Sequence, residues 1–181
     1  MPHVITVFGS ARPQPGDQEY DEAYSLGRRL AEAGFTVCNG GYGGSMEAVA
    51  RGAKEANGAT VGVTFSSPGR QANQWIDREI QEPDLPRRLL KLVELGDGYI
   101  VLKGGTGTLL ELACVWEFIN KGIIREKPIV VLGPFWHAVV DVLRQELVWE
   151  GIGECTRFIT EAATSDECVR ELIHRLRLQT R

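Results

Sequence analysis

No apolar run in the chain approaches the roughly 20 residues that a membrane-spanning helix requires, and no charged and apolar leader precedes the first strand-like segment. A cytoplasmic protein is expected. Basic residues are not in excess: 20 Lys and Arg stand against 24 Asp and Glu, a formal charge of −4, which leaves no electrostatic footprint for nucleic acid or an anionic membrane. The three histidines (3, 137 and 174) and the four cysteines (Cys38, Cys114, Cys155, Cys168) are scattered, with no Cys-x-x-Cys pair. That spacing argues against a metal centre or a disulfide framework, and reduced, partly buried thiols are the simpler account. Nothing in the residues asks for a metal or another cofactor.

Glycine, by contrast, is abundant, with 21 in 181 residues against a usual share of about 7%. The length suits one domain over residues 1–181, burying roughly 70% of its unfolded surface. The extra glycines gather at turns, most densely in Lys103-Gly-Gly-Thr-Gly-Thr-Leu-Leu-Glu111. This stretch lies between a short apolar run, Tyr99 to Leu102, and a long apolar segment, Leu109 to Ile119, hence between a buried strand and a buried helix. A glycine-rich strand-to-helix turn lets backbone come close to a ligand, and the first N–H groups of the helix have no partner within it. Phosphate binds at such places. A plainer reading makes Thr108 and Glu111 a capping box, yet three glycines and two threonines in five positions exceed what a cap needs. The turn is neither a Walker A loop nor the dinucleotide fingerprint Gly-x-Gly-x-x-Gly, which disfavours kinase-like and hydride-transfer chemistry.

Along the chain, Val4 to Phe8 reads as a strand ending at Gly9-Ser10, and Asp17 is placed to cap a helix whose inner stripe is Tyr20, Ala23, Tyr24, Gly27, Leu30 and Ala31. Gly34 is placed to stop it. Phe35 to Cys38 is a second strand, opening into Asn39-Gly-Gly-Tyr-Gly-Gly-Ser45 before a helix with Met46, Val49, Ala50 and Ala53 inward. Thr60 to Phe65 is a third strand, and the polar loop Ser66 to Trp75, with Pro68, Gly69, Arg70 and Asn73, reads equally as a lid or a connection. Arg78 to Gln81 is a short fourth strand. A helix from Pro86 turns Leu89, Leu92 and Val93 inward, with Arg87, Arg88 and Lys91 within a turn of one another, either as a solvated face or as a basic cluster serving the loop beyond. Ile129 to Leu132 is a strand; the following helix has Trp136, Val139, Val140, Leu143 and Leu147 as its stripe, and His137 reads as surface or packing. Phe158 to Thr160 and a last helix bearing Val169, Leu172, Ile173 and Leu176 complete the pattern.

Such alternation predicts an α/β fold, a Rossmann-like doubly wound parallel sheet with helices on both faces. Ligands of these sheets bind beyond the strand carboxyl ends, where the winding reverses. Gly9-Ser10, Gly40 to Ser45 and Gly104 to Thr108 all follow strand ends, so three turns converge on one crevice.

Gly104-Gly105-Thr106-Gly107-Thr108-Leu109-Leu110-Glu111 resembles the Pro-Gly-Gly-x-Gly-Thr-x-x-Glu signature of the lonely-guy (LOG) family, often labelled lysine decarboxylase-like. Val7 to Ser10, the Gly40-Gly41 loop with Gly44 and Met46, and Trp116 through Pro128 are similar to other parts of that family, and Arg88 lies at the family's distance before Asp97. The resemblance implies a homodimer that cleaves the N-glycosidic bond of nucleoside 5′-monophosphates, AMP or cytokinin nucleotides, to free base and ribose 5-phosphate. It implies catalytic roles for Arg88 and Glu111, and phosphate or substrate contacts from Gly9, Ser10, Gly40, Gly41, Gly44, Met46, Gly104, Gly105, Thr106, Gly107 and Thr108. Nothing resembles a pyridoxal-phosphate lysine site, so the decarboxylase label is set aside. Some relatives of this fold carry a nucleotide or a phosphate-bearing cofactor such as molybdopterin without turnover, and this is the alternative function.

A carboxylate suits an oxocarbenium-like transition state, which it stabilises while activating water. Desolvation would raise the pKa of Glu111, whereas Arg88 and the helix dipole would lower it, and sequence leaves the sign open. Three departures from the family are evident: Lys103 replaces its proline, Leu89 the lysine after its arginine, and Leu110 the first of its paired glutamates.

Overall fold

Both faces of the central strands are covered, so they read as unbroken apolar runs rather than as alternating ones. The computed structural model describes residues 2–66, 69 and 71–179. In it β1 (Val4–Phe8), β2 (Thr36–Asn39), β3 (Thr60–Phe65), β4 (Arg78–Glu82), β5 (Gly98–Val101), β6 (Ile129–Leu132) and β7 (Ile159–Ala162) form one sheet. All neighbours are parallel, in the order β4-β3-β2-β1-β5-β6-β7. The doubly wound α/β architecture expected from the alternation is what forms. The winding reverses between β1 and β5, where Phe8 stands opposite Val101.

Among the described residues six α-helices cover the sheet: α1 (Gln18–Glu32), α2 (Ser45–Glu55), α3 (Leu85–Leu95), α4 (Thr106–Asn120), α5 (His137–Trp149) and α6 (Ser165–Gln179). One apolar cluster joins residues of α1, α2 and α6 to Ile5, Val7, Val37, Ile100 and Val130. The other joins α3, α4 and α5 to Phe8, Cys38, Val63, Tyr99 and Val101. Successive residues of β1 and β5 thus point into different cores, as a period of two demands. No helix among the described residues is long and apolar enough to cross a membrane.

Several local expectations are corrected. The β2 strand begins and ends one residue later than expected, and β7 runs to Ala162. Asp17 occupies the N-cap of α1, but its carboxylate accepts the Gln14 N–H (2.8 Å) and caps nothing in the helix. Side-chain caps form instead at Asp84, which accepts the Arg87 N–H at 2.8 Å, and at Thr164, which accepts the Glu167 N–H at 3.2 Å. The Thr108–Glu111 capping box is absent: α4 starts at Thr106 with Gly105 as N-cap, which places Thr108 and Glu111 inside the helix. The connection from β3 to β4 carries no helix among its described residues, and the Pro68 and Arg70 of the expected lid lie outside them. Val139 and Leu143, expected inward, are each 36% exposed, because α5 turns only Val140 fully into the core and Leu147 packs at its edge.

Candidate functional site

The first two glycine loops are joined by close backbone contact. Gly44, at φ +69°, sets α2 so near the first loop that a Cβ there would collide with the Ser10 carbonyl and Ala11. The Ser45 N–H donates to that carbonyl at 2.8 Å. Buried Asn39 holds the second loop from within, its Oδ1 accepting the Gly41 N–H at 2.7 Å and its Nδ2 donating to the Met46 carbonyl at 3.0 Å. From outside, the Asn73 Nδ2 donates to the carbonyls of Gly41 (3.1 Å) and Tyr42 (2.8 Å). Across the switch point, the Leu102 N–H donates to the Phe8 carbonyl at 2.9 Å and brings the third loop beside Gly9 and Ser10.

That third loop is open where a ligand would lie. Gly105, Thr106 and Gly107 are exposed, and a Cβ on either glycine would meet nothing within 4 Å. Thr108 instead is buried, its side chain against Gly104, so it shapes the turn from below. The N–H groups of the first turn of α4 lack intrahelical acceptors and no side chain caps them.

Arg88 settles the basic cluster of α3: Arg87 and Lys91 pair with Asp84 and Glu94 at the surface, while Arg88 is 8% exposed. Its Nε donates to the Val63 carbonyl at 2.7 Å and its guanidinium to the Gly40 carbonyl at 3.1 Å. Tyr42 and Phe65 lie under the guanidinium at 5.4 and 5.9 Å, and the Met46 Sδ stands 4.0 Å away. A side chain at Gly40 would occupy the guanidinium's place. Of the expected residues, Gly40, Met46 and Arg88 therefore form one packed unit. Sequence reading missed Asn39, Tyr42, Phe65 and Asn73 as site residues; the Asn that opens the Asn39 to Ser45 glycine loop was the available signal.

Glu111 follows on the second turn of α4, half-buried. Loss of solvent, the larger influence, pushes its carboxyl up to about 7, and the nearby positive charge of Arg88 opposes this. The sign left open by the sequence is therefore upward. Near neutral pH such a group holds and releases a proton with equal ease, the condition for acid–base work. Ser10 and Gly104 also line a cavity of about 310 Å³, to which neither Arg88 nor Glu111 contributes.

A switch-point crevice with these glycine turns, a docked arginine and a proton-exchanging glutamate agrees with the sequence match that spans residues 2–159. The chain belongs to the SLOG cluster4 family. Its LOG-like character extends to curated relatives. It is 31% identical over 135 residues to a cytokinin riboside 5′-monophosphate phosphoribohydrolase of Rhodococcoides fascians, covering 72% of this chain and 68% of the relative. It is 32% identical to the protein of that name from Mycobacterium tuberculosis, covering 74% and 72%. Among solved structures, the molybdenum cofactor binding protein of Rippkaea orientalis superimposes with a TM-score of 0.75 at 28% identity, covering 97% of this chain and 98% of that one. The SLOG cluster4 chain thus has hydrolases and a cofactor binder among its relatives.

Proposed function

We propose that this SLOG cluster4 protein is a nucleoside 5′-monophosphate phosphoribohydrolase, consuming one water and releasing free base and ribose 5-phosphate from AMP-like or cytokinin nucleotides. The observation that carries this reading is Glu111, with its pKa raised to about 7 beside buried Arg88 and one turn from the open start of α4. The 5′-phosphate is held by the backbone of Gly104 to Gly107 together with Gly9 and Ser10, and Gly41 and Gly44 shape the opposite wall. As the C1′–N bond breaks, its electron pair leaves with the base and positive charge grows on the ribose. The ionised Glu111 stabilises that charge and takes a proton from the attacking water, and the departing base nitrogen receives that proton, which returns Glu111 to its ionised form. Arg88, fixed by carbonyls and aromatic rings, orients Glu111 and stabilises negative charge on the substrate.

The test is incubation of the purified protein with a panel of nucleoside 5′-monophosphates, following base and ribose 5-phosphate by chromatography. Release from any member supports the hydrolase. Saturable binding without release favours the second reading, a non-catalytic carrier of a nucleotide or a phosphate-bearing cofactor such as molybdopterin. The likeness to the Rippkaea orientalis protein over nearly the whole of both chains is what supports that alternative.

Gly105→Val separates a ligand loop from a plain turn. The added side chain meets nothing in the protein, at a φ of −95° that valine tolerates. The melting temperature should stay within a few degrees, while calorimetric affinity for AMP falls at least about tenfold, roughly 1.4 kcal/mol. Equal affinity would remove the loop from the site.

We also infer a homodimer. Leu109 and Leu110, 37% and 48% exposed, directly precede Glu111 on α4, and Leu90 on α3 is 50% exposed; these are apolar side chains that a second copy would cover. Sedimentation should give a species of twice the 20.0 kDa chain mass; a monomer at micromolar concentration would rule it out.

A further inference from the structure

Residues 73–77, in the connection from β3 to β4, are tied at both ends. At the later end the Thr60 hydroxyl donates to the Trp75 carbonyl at 2.7 Å and accepts the Asp77 N–H at 2.9 Å, while the Asp77 carboxylate accepts the Thr60 N–H at 2.9 Å. At the earlier end stands Asn73. Its backbone N–H donates to the Gly41 carbonyl at 2.8 Å, and its Nδ2 donates both there and to the Tyr42 carbonyl. The amide is itself held in an Asx turn, because Oδ1 accepts the Trp75 N–H at 3.0 Å. Gly62 on β3 makes this approach possible: a Cβ there would press on the Ile76 side chain at 3.0 Å and on the Gly41 Cα at 3.1 Å.

What Asn73 clamps is one side of the seat of Arg88. Gly40, the neighbour of Gly41, offers the carbonyl that accepts the guanidinium, and Tyr42 lays its ring beside it. Tyr42 is tied at its other end as well, since its hydroxyl donates to the Phe65 carbonyl at 3.2 Å and accepts the Phe65 N–H at 3.0 Å. Those two bonds also fix the Phe65 ring, which meets Tyr42 edge to face at 6.3 Å and faces the same guanidinium. The other side of the seat, the Val63 carbonyl under Nε, belongs to β3 and does not depend on Asn73.

We propose that Asn73 is a positioning residue for the reaction assigned above: through Gly41 and Tyr42 it holds the Gly40 carbonyl and the aromatic rings against Arg88, and so sets where the guanidinium stands relative to Glu111 and the substrate. The rate effect rests on the hydrolase reading, whereas the hold on Arg88 rests on the hydrogen bonds alone. Displacing a charged group by a fraction of an ångström is enough to slow a step that depends on its place.

The test compares Asn73→Ala and Tyr42→Phe with Arg144→Met. The last removes the donor to the Ile159 carbonyl and to Glu161 at the opposite edge of the sheet, so it lowers stability without touching this region. Hydrogen exchange at Arg88, followed by nitrogen-labelled NMR, should become at least about tenfold faster at the Nη groups in Asn73→Ala and change much less at Nε, which keeps Val63. With AMP, kcat should fall about tenfold or more while KM stays within about threefold, because Gly104 to Gly107 are untouched. Tyr42→Phe releases the same seat from the hydroxyl end and should show the same pattern, which decides the matter if Asn73→Ala does not fold. Arg144→Met should keep wild-type exchange at Arg88 and wild-type kcat.

Wild-type exchange and kcat in the two seat variants would overturn the proposal, as would the same changes in Arg144→Met, which would make them consequences of lost stability. Faster exchange with kcat unchanged in an active protein would overturn the part of Asn73 in the reaction. If the wild type releases no base from any nucleotide, the hydrolase reading falls by itself, and faster exchange confined to the seat variants still assigns the hold of Asn73 on Arg88.

Discussion

Replacing Glu111 by glutamine is expected to slow base release at least about 10²-fold, because the variant keeps the size and polarity of the side chain but cannot exchange a proton. Nucleotide affinity should change little, since the phosphate is held by backbone some distance along the helix. The same substitution should make the protein more stable at neutral pH. The folded-state pKa of Glu111, about 7, lies above the 4.5 of an ordinary glutamate, so the folded protein binds more protons than the unfolded chain between those values. Stability therefore falls as pH rises through that window and stays lowered above it. The cost is at most about 3.4 kcal/mol, taking 1.36 kcal/mol per unit. Glu111→Gln removes it, so its melting temperature should exceed that of the wild type by several degrees at pH 8 and match it at pH 4. A variant both slower and no more stable at pH 8 would mean that Glu111 is not desolvated as described. Unchanged turnover would remove it from the mechanism.

Arg88→Met carries the second large effect, on stability first. The thioether fills much of the same space but leaves the Val63 and Gly40 carbonyls without their donor in a buried place. Charge-assisted hydrogen bonds contribute about 1.5–3 kcal/mol and a buried orphan costs a similar amount, so a loss of roughly 3 kcal/mol is expected, read as a lower midpoint in urea. Removing the positive charge also removes the side-chain charge that lowers the Glu111 pKa. In a carbon-labelled titration the Glu111 carboxyl should therefore ionise above 7 in Arg88→Met. Arg88→Lys should restore the titration and only part of the stability, since an ammonium lacks the planar fork that reaches both carbonyls. A Glu111 titration identical in all three proteins would show that the two side chains do not interact.

Much of the frame could be read from the residues. Strand-length apolar runs gave six of the strands to within about two residues, the polar β4 being read only as a short strand between loops, and the convergence of three loops followed from the parallel winding. What could not be read depended on contacts between distant segments. Arg88 shares a helix turn with two solvated bases, and only the absence of a side chain at Gly40, 48 residues away, makes room for it in the core. The Thr108–Glu111 spacing mimics a cap, yet the helix begins three residues earlier because Gly105 adopts an extended backbone and starts the turn itself. Val139 and Leu143 obey helical periodicity but fall beyond the edge of what α5 can cover. The site's proton chemistry was undecided because desolvation and charge act with opposite sign, and only the packing around Glu111 tells which is larger.

The pairing of β1 with β5 sets when this protein becomes competent. Residues Ile5 to Phe8 find their partners at Gly98 to Val101, more than ninety positions later, with β2, β3 and β4 all on the other side. Closing so long a loop is entropically slow, and pairs of high sequence separation govern folding rates. During synthesis the first four strands must wait with the inner edge of β1 uncovered until β5 leaves the ribosome. The crevice lies along that seam, so the molecule cannot hold its ligand before more than half of the chain has been made.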